Sequence, residues 1–271
     1  MKKNRLAKVA IIGCGRVSGH HCRSIIGTKG TELIAVCDLE IAKARTYQDQ
    51  FGAKAYSNYR QMLTEHPEIN TVAIITPSGM HYEHGLEIIE NYRKNIIVEK
   101  PTFMKPSQLV KAYEAAARSG LSIFPVFQNR HNRAVWRVKQ GLLSGELGKV
   151  RTVSVRVRWC RPQRYYDLAP WRGTFAQDGG CLTNQGIHHV DLLRYFGGEV
   201  ERVCTSMRTL GADIEVEDTV TASVVFHNGA LGSLEVTTAA RPIDYEASLS
   251  LVCENGLAQI GGIAVNELQV Y

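Results

Sequence analysis

Over the first 126 residues, short and nearly unbroken apolar runs alternate with stretches whose apolar residues recur every three or four positions. The runs are "KVAIIG" (8–13), "ELIAVCD" (32–38), "TVAIIT" (71–76), "NIIVE" (95–99) and "LSIFPVF" (121–127). An apolar run without alternation suits a strand covered on both faces. "EIAKARTYQDQFG", "YRQMLTEH", "HYEHGLEIIENY" and "QLVKAYEAAARSG" carry the helical spacing, and Gly52 and Gly120 stand where helices stop. Alternating strand and helix predicts a parallel sheet with right-handed crossovers.

The pattern changes near residue 127. A helix is expected near 132–144, then a long strand, "VRTVSVRVRWC" (150–160), in which valines alternate with polar residues. A second helix begins near Gly186. Beyond it come "VERVCTSMRT", "TVTASVVF", "ALGSLEVTT", "ASLSLVCE" and "GLAQIGG", joined by turns such as "HNGA" and "ENG". Period-two strands with short turns predict a mostly antiparallel sheet with one open face. The expected units are 1–126, α/β, and 127–271, α+β. The last residues, "VNELQVY", read as a strand, either a sheet edge or a point of truncation.

Composition narrows the function. The 271 residues are 44% hydrophobic, enough for the cores of two ordinary globular domains. The net charge of +6 is spread without a block of like charges, so nothing prompts nucleic-acid binding, while an anionic substrate fits. Seven cysteines, an odd count with no C-x-x-C, indicate neither a disulfide framework nor a zinc site. A reducing cytoplasm is the simplest home. No run approaches the ~20 apolar residues of a membrane span, and the N-terminal apolar run is too short for a signal peptide.

"AIIGCGRVSGHH" places Gly13 and Gly15 between the first strand and the first helix. Gly13 permits a tight turn, and Gly15 lets a pyrophosphate approach the backbone at the helix N-terminus. The third glycine of the usual spacing is Ser18 here, small enough for close packing. The next strand ends in Asp38, whose carboxylate accepts from an adenosine ribose and repels a 2′-phosphate. This is a Rossmann dinucleotide signature with NAD preferred over NADP. No Gly-Lys-[Ser/Thr] follows, which argues against a P-loop.

Two more stretches lie at the carboxyl ends of later parallel strands, where open α/β sheets bind ligands. They are "TPSGMHYEH" and "EKP" (99–101). A third, "DGGCLTNQGIHHVDLLRYFGG" (178–198), sets Asn184 and His188 four apart, on one face if both lie on one helix. His189 points away from His188 on such a helix, and His81 with His84 lacks a third ligand, so no metal is expected.

Together, "GCG…D", "TPSGMH", "EKP" and "GG-x-L-x-N-x-G-x-H-x-x-D" resemble the glucose–fructose oxidoreductase/inositol dehydrogenase (Gfo/Idh/MocA) family over essentially the whole chain. The resemblance implies a cofactor set of Gly13, Gly15, Arg16, Val17, Asp38, Thr76, Pro77, His81, Glu99, Lys100 and Gln128. It also implies that Lys100 and His188 face the substrate carbinol. The family usually has Asp where this chain has Asn184, which puts an aspartate-assisted proton relay in question. "FQNRHN" (127–132), "RWCRPQRYYDLAPWRGTFAQDGG" (158–180) and that same Asn resemble the UDP-N-acetylglucosaminuronate 3-dehydrogenase subgroup. That implies oxidation of a sugar C3 hydroxyl for surface-polysaccharide synthesis and NADH reoxidation by 2-oxoglutarate. The ketone then passes to a PLP-dependent aminotransferase. Relatives usually pair through the open sheet, so a dimer or tetramer is implied, and the family's length implies residues beyond Tyr271.

Oxidising a secondary alcohol needs a base for the hydroxyl proton and a cation for the developing alkoxide. Lys100 and His188 are the candidates, and either can take either role; Asn184 can hydrogen-bond but carries no charge. The ordinary alternatives are a Lys100–Glu99 salt bridge and a satisfied, partly buried histidine. Arg158, Arg161, Tyr165, Trp171, Arg172 and Thr174 form the expected substrate platform. Arginines grip diphosphate or carboxylate bidentately and an aromatic ring can stack on uracil. A free sugar, inositol or diol is the alternative substrate, and an NAD(H)-sensing protein without catalysis the alternative class.

Overall fold

The computed structural model describes residues 6–271, which divide into two compact units at Val126 and Phe127. The first contains β1 (Ala7–Ile12), α1 (Ser18–Gly27), β2 (Thr31–Cys37), α2 (Ile41–Phe51), β3 (Lys54–Tyr56) and α3 (Tyr59–Glu65). It continues with β4 (Thr71–Ile74), α4 (His81–Tyr92), β5 (Asn95–Val98), α5 (Pro106–Ser119) and β6 (Ile123–Pro125). The strands form one parallel sheet in the order β3-β2-β1-β4-β5-β6. Unbroken apolar runs produce it because side chains alternate between two covered faces. Val9 and Ile11 pack with Cys22, Ile25 and Ala44 of α1 and α2. Ala10 and Ile12 pack with Met62, Ile88 and Ala112 of α3, α4 and α5. Gly52 and Gly120 close α2 and α5 at φ of 75° and 66°. The strand order reverses between β1 and β4, which opens a crevice at their carboxyl ends.

The second unit contains α6 (Arg133–Leu143), β7 (Val150–Arg158), α7 (Gln163–Tyr166), α8 (Gly180–Asn184), α9 (Ile187–Gly197) and β8 (Val200–Arg208). β9 (Thr219–Phe226), β10 (Leu231–Thr237), β11 (Glu246–Cys253), β12 (Leu257–Gly261) and β13 (Glu267–Val270) follow. Its sheet runs β13-β12-β11-β7-β10-β9-β8. β7 and β10 are parallel and the other neighbours antiparallel. Val153, Val155 and Val157 face a core shared with Val135 and Val138 of α6 and Leu192 and Phe196 of α9. Arg156, Ser233, Thr221 and Ser223 lie exposed on the other face.

Two expectations change. β3 falls in a stretch read as connection; with three residues it carries no periodicity. Asn184 and His188 do not share one helix: α8 ends at Asn184 and α9 begins at Ile187. The Gly186 amide reaches back to the Cys181 carbonyl at 2.8 Å, ending one ladder, and the Gly186 carbonyl starts the next by accepting from His189 and Val190. A Cβ at Gly186 would lie 2.8 Å from the Val236 side chain, so glycine lets this turn pass close to β10.

Candidate functional site

In the first unit, candidate residues gather at the carboxyl ends of the strands. Gly13 has φ of +96°, and a Cβ there would lie 2.5 Å from the Ile75 carbonyl oxygen, so only glycine fits. A Cβ at Gly15 would meet nothing, which leaves its backbone open to a ligand. Gly15, Arg16 and Val17 are exposed. The buried Ser18 hydroxyl donates to the Gly13 carbonyl at 2.6 Å, and the Tyr47 hydroxyl to that of Gly15 at 2.7 Å. No side chain caps α1, so no side chain competes with an anion for its first amides. Asp38 accepts from the Cys14 amide at 2.8 Å and the Glu40 amide at 2.9 Å, so it braces the turn as well as carrying charge. Burial, aided by the Asp38 charge, pushes the Cys14 and Cys37 thiols up to about 12, which makes them packing groups. The open backbone, the uncapped helix and the acid after β2 fit a dinucleotide.

His81 is buried on the second rim. Nδ1 lies 2.8 Å from the Pro101 carbonyl and Nε2 2.8 Å from that of Thr76. The ring ties the loop after β4, with Thr76 and Pro77, to the loop after β5, with Lys100. Both ring nitrogens face backbone carbonyls, and the neutral ring has one proton to donate to one of them. Burial holds the ring below the usual histidine range against those two carbonyls.

Glu99 has a partner the sequence did not suggest. His21 Nε2 on α1 lies 2.8 Å from Glu99 Oε1, and the Lys100 amide donates to Glu99 Oε2 at 3.1 Å. Burial raises the Glu99 carboxyl, but His21 and Lys100 acting together lower it further and leave the group below its ordinary value. Glu99 is therefore ionised and anchors the backbone from which Lys100 extends.

In the second unit, His188 is buried at the start of α9. Phe127 meets its ring edge-on at 6.0 Å, and Gln128 Nε2 lies 3.4 Å from His188 Nε2. Arg130 and Asp191 form a two-pronged ion pair, 2.7 Å at Nε, that fixes the Gln128 turn to α9. Asp191 is thus a structural partner. Among the described residues no three His, Cys, Asp or Glu side chains could hold a metal ion.

The expected platform divides. Arg172 Nη1 donates to the Tyr165 hydroxyl at 2.6 Å, and its guanidinium lies over the Tyr165 and Trp171 rings at 4.5 and 4.6 Å. Gln185 Nε2 donates to the same hydroxyl at 2.9 Å and to Asn184 Oδ1 at 3.2 Å. Thr174 donates to the Trp171 carbonyl and braces this loop. Arg161 pairs with Asp244 at 2.8 Å and lies 5.5 Å from the Tyr165 ring. Arg158 is on the open face, held bidentately by Glu235 at 2.6 and 2.8 Å and by Glu246 at 3.2 Å. Its donors are committed to the sheet, so it does not join the Tyr165 cluster.

Residues 7–127 match the oxidoreductase family with an NAD-binding Rossmann fold, and residues 135–259 match the GFO/IDH/MocA C-terminal domain. The WlbA dehydrogenase from Bordetella pertussis, solved with NADH and UDP-GlcNAcA, is 34% identical with a TM-score of 0.93. The match covers 98% of this chain and 76% of that one. The chain belongs to the Gfo/Idh/MocA oxidoreductase family. WlbA from Chromobacterium violaceum, also solved with NADH and UDP-GlcNAcA, is 36% identical with a TM-score of 0.92, over 99% of this chain and 77% of that one. The D-glucoside 3-dehydrogenase of Escherichia coli K12 is 28% identical, over 86% of this chain and 70% of its own length. As a Gfo/Idh/MocA member the protein is an NAD-dependent dehydrogenase acting on a carbinol. Among the described residues no helix is long and apolar enough to cross a membrane.

Proposed function

We propose that the protein oxidises the C3 hydroxyl of UDP-N-acetylglucosaminuronate to a 3-keto sugar for bacterial surface-polysaccharide synthesis. What carries this reading is the similarity, over nearly the whole chain, to two dehydrogenases solved with NADH and that sugar. The Tyr165, Trp171, Arg172 and Arg161 cluster supports it, since an anionic nucleotide sugar needs cations and flat rings together. Gly13, Gly15, Arg16, Val17 and Asp38 would hold the dinucleotide, with the Thr76, Pro77 and Glu99 loops and Gln128 on its nicotinamide side. NAD held there would supply the hydride acceptor for the sugar carbon. His188 takes the hydroxyl proton and Lys100 steadies the developing negative charge. Asn184 hydrogen-bonds the sugar without adding a charge. 2-Oxoglutarate then takes up a hydride and a proton as it becomes 2-hydroxyglutarate, which regenerates NAD. The second unit would carry substrate and self-association, with Val203, Met207 and Leu231 exposed on its sheet for pairing in a cytoplasmic dimer or tetramer.

Incubation of the NAD-loaded protein with the UDP-sugar and 2-oxoglutarate, followed by mass spectrometry, is expected to yield a sugar lacking two hydrogens. Absence of that product from folded protein overturns the substrate. A second reading, a free glycoside as substrate, is favoured by the Escherichia coli relative, and the same assay with a methyl glucoside tests it.

The Asp38 geometry yields a cofactor prediction. Asp38→Ala removes the charge and both amide contacts, so NAD binding is expected to weaken about 10–100-fold, from hydrogen bonds to a charged group of about 1.5–3 kcal/mol. Asp38→Asn keeps an acceptor and loses the repulsion, so its NADP-to-NAD preference is expected to rise. Fluorescence titration with both reduced cofactors measures this, and an unchanged ratio in Asp38→Asn would remove the discriminating role.

A further inference from the structure

We propose that Asp178 is a positioning residue that sets which end of the Asn184 amide faces the substrate, an inference that rests on the reading just given. Asp178 is 3% exposed. Its Oδ1 accepts from Asn184 Nδ2, and its Oδ2 accepts from the Gly173 amide at 2.7 Å. The Asp178 amide donates to the Thr174 carbonyl at 3.0 Å, which fixes the carboxylate at the entrance to α8.

Both Asp178 oxygens accept hydrogen bonds, so the amide end next to Oδ1 is the NH2. The carbonyl end of Asn184 is turned the other way, where it accepts from Gln185. Gln185 also donates to the Tyr165 oxygen, and Arg172 donates to that oxygen as well. The donor direction therefore diverges at Gln185, which gives one amide proton to Tyr165 and one to Asn184, and from Gln185 through Asn184 it runs one way to the Asp178 carboxyl. Two donors on the Tyr165 oxygen leave its own proton to be given elsewhere. Asn184 thus meets a substrate hydroxyl through an acceptor oxygen, and Tyr165 meets a substrate oxygen as a donor. A neutral Asn at position 184 gains a defined polarity from a charge one residue removed.

The pairing can be taken apart and rebuilt. In Asp178→Asn, the new amide faces two donors, Asn184 Nδ2 and the Gly173 amide, and can accept from only one. In Asn184→Asp, two carboxylates meet. In the double variant, which combines D178N with N184D, the two side chains exchange places. The amide introduced at position 178 donates to the carboxylate introduced at position 184 and accepts from the Gly173 amide, and an oxygen again faces outward at 184. Steady-state rates are measured at saturating NAD, below each variant's unfolding midpoint. Each single variant is expected to lose about 10–100-fold in kcat, from a charged hydrogen bond of about 1.5–3 kcal/mol, with the KM for NAD unchanged. The double variant is expected to recover most of that loss. An Asp178→Asn variant within twofold of the parent, or a double variant no better than the worse single one, overturns the proposal. Failure of the parent protein on the UDP-sugar overturns the sugar assignment alone. The same four proteins are then compared on whichever carbinol the parent oxidises.

Discussion

Lys100→Met is expected to lower kcat by about 10²–10⁴-fold while NAD binding persists, the range for loss of one group that handles charge or a proton in the transition state. Methionine keeps most of the length and apolar stem of lysine and removes only the ammonium. The backbone should stay put, because the Lys100 amide is held by Glu99, and Glu99 by His21. A fall in kcat with unchanged NAD affinity therefore reports chemistry. The companion variants divide the roles. If His188 takes the proton, His188→Gln loses the acid limb of the pH–rate profile, whereas Lys100→Arg keeps that limb at a lower plateau. If Lys100 takes it, the pattern reverses, because arginine does not deprotonate. Stopped-flow NADH absorbance at several pH values measures both, and a Lys100→Met enzyme within threefold of the parent would remove Lys100 from the chemistry.

The cofactor half was legible in the sequence because its signals are local. A strand, two glycines, a helix and an acid after the next strand lie within about thirty residues, and each bears on the same backbone turn. The unbroken apolar runs of β1, β4 and β5 were legible for a similar reason, since burial on both faces leaves no polar alternation. The substrate half depends on register. Arg158 looked available until β7 paired with β11, which sets it opposite Glu246, and with β10, which brings Glu235 within 2.6 Å. The helix read as beginning near Gly186 begins at Ile187, but the short α8 before it left no periodicity to read. The closeness of Gly186 to Val236, fifty residues away on β10, is likewise visible only in the fold. His81, read as a cofactor contact, also lies between two loops whose carbonyls converge on it, which the sequence did not suggest. Asp178 stood in a quoted motif, yet only its contact with Asn184 gives it a role. His21 carried no signal, since its partner Glu99 lies just past β5, far along the chain.

His189 sets the second large expectation, a loss of stability in mild acid that a single substitution should remove. The ring is 1% exposed, and neither of its nitrogens has a hydrogen-bond partner. Its neighbour is the Trp159 ring, edge-on at 6.0 Å, whose own Nε1 is also unpartnered. Burial, with His188 beside it, pushes the His189 imidazole down to about 3 from the usual 6.5. The unfolded chain therefore binds a proton below about pH 6.5 that the folded chain refuses until about pH 3. Stability is complete above that window and falls as the pH drops through it. Between pH 7.5 and pH 5 the cost is about 2 kcal/mol, at 1.36 kcal/mol for each pH unit of the gap. Other groups titrate in the same range, such as His81 and His84, whose imidazoles burial holds below the usual histidine range. They are common to parent and variant and cancel in the difference. His189→Leu replaces an unpartnered polar ring with an apolar side chain beside Trp159, on the helix face that carries Leu192 and Leu193, so at pH 7.5 it should be neutral or slightly stabilising. Its urea midpoint should then fall less than the parent's on going to pH 5, by an amount worth about 2 kcal/mol. Parallel pH dependence in the two proteins would mean that His189 is protonated, or finds a partner, in the folded state.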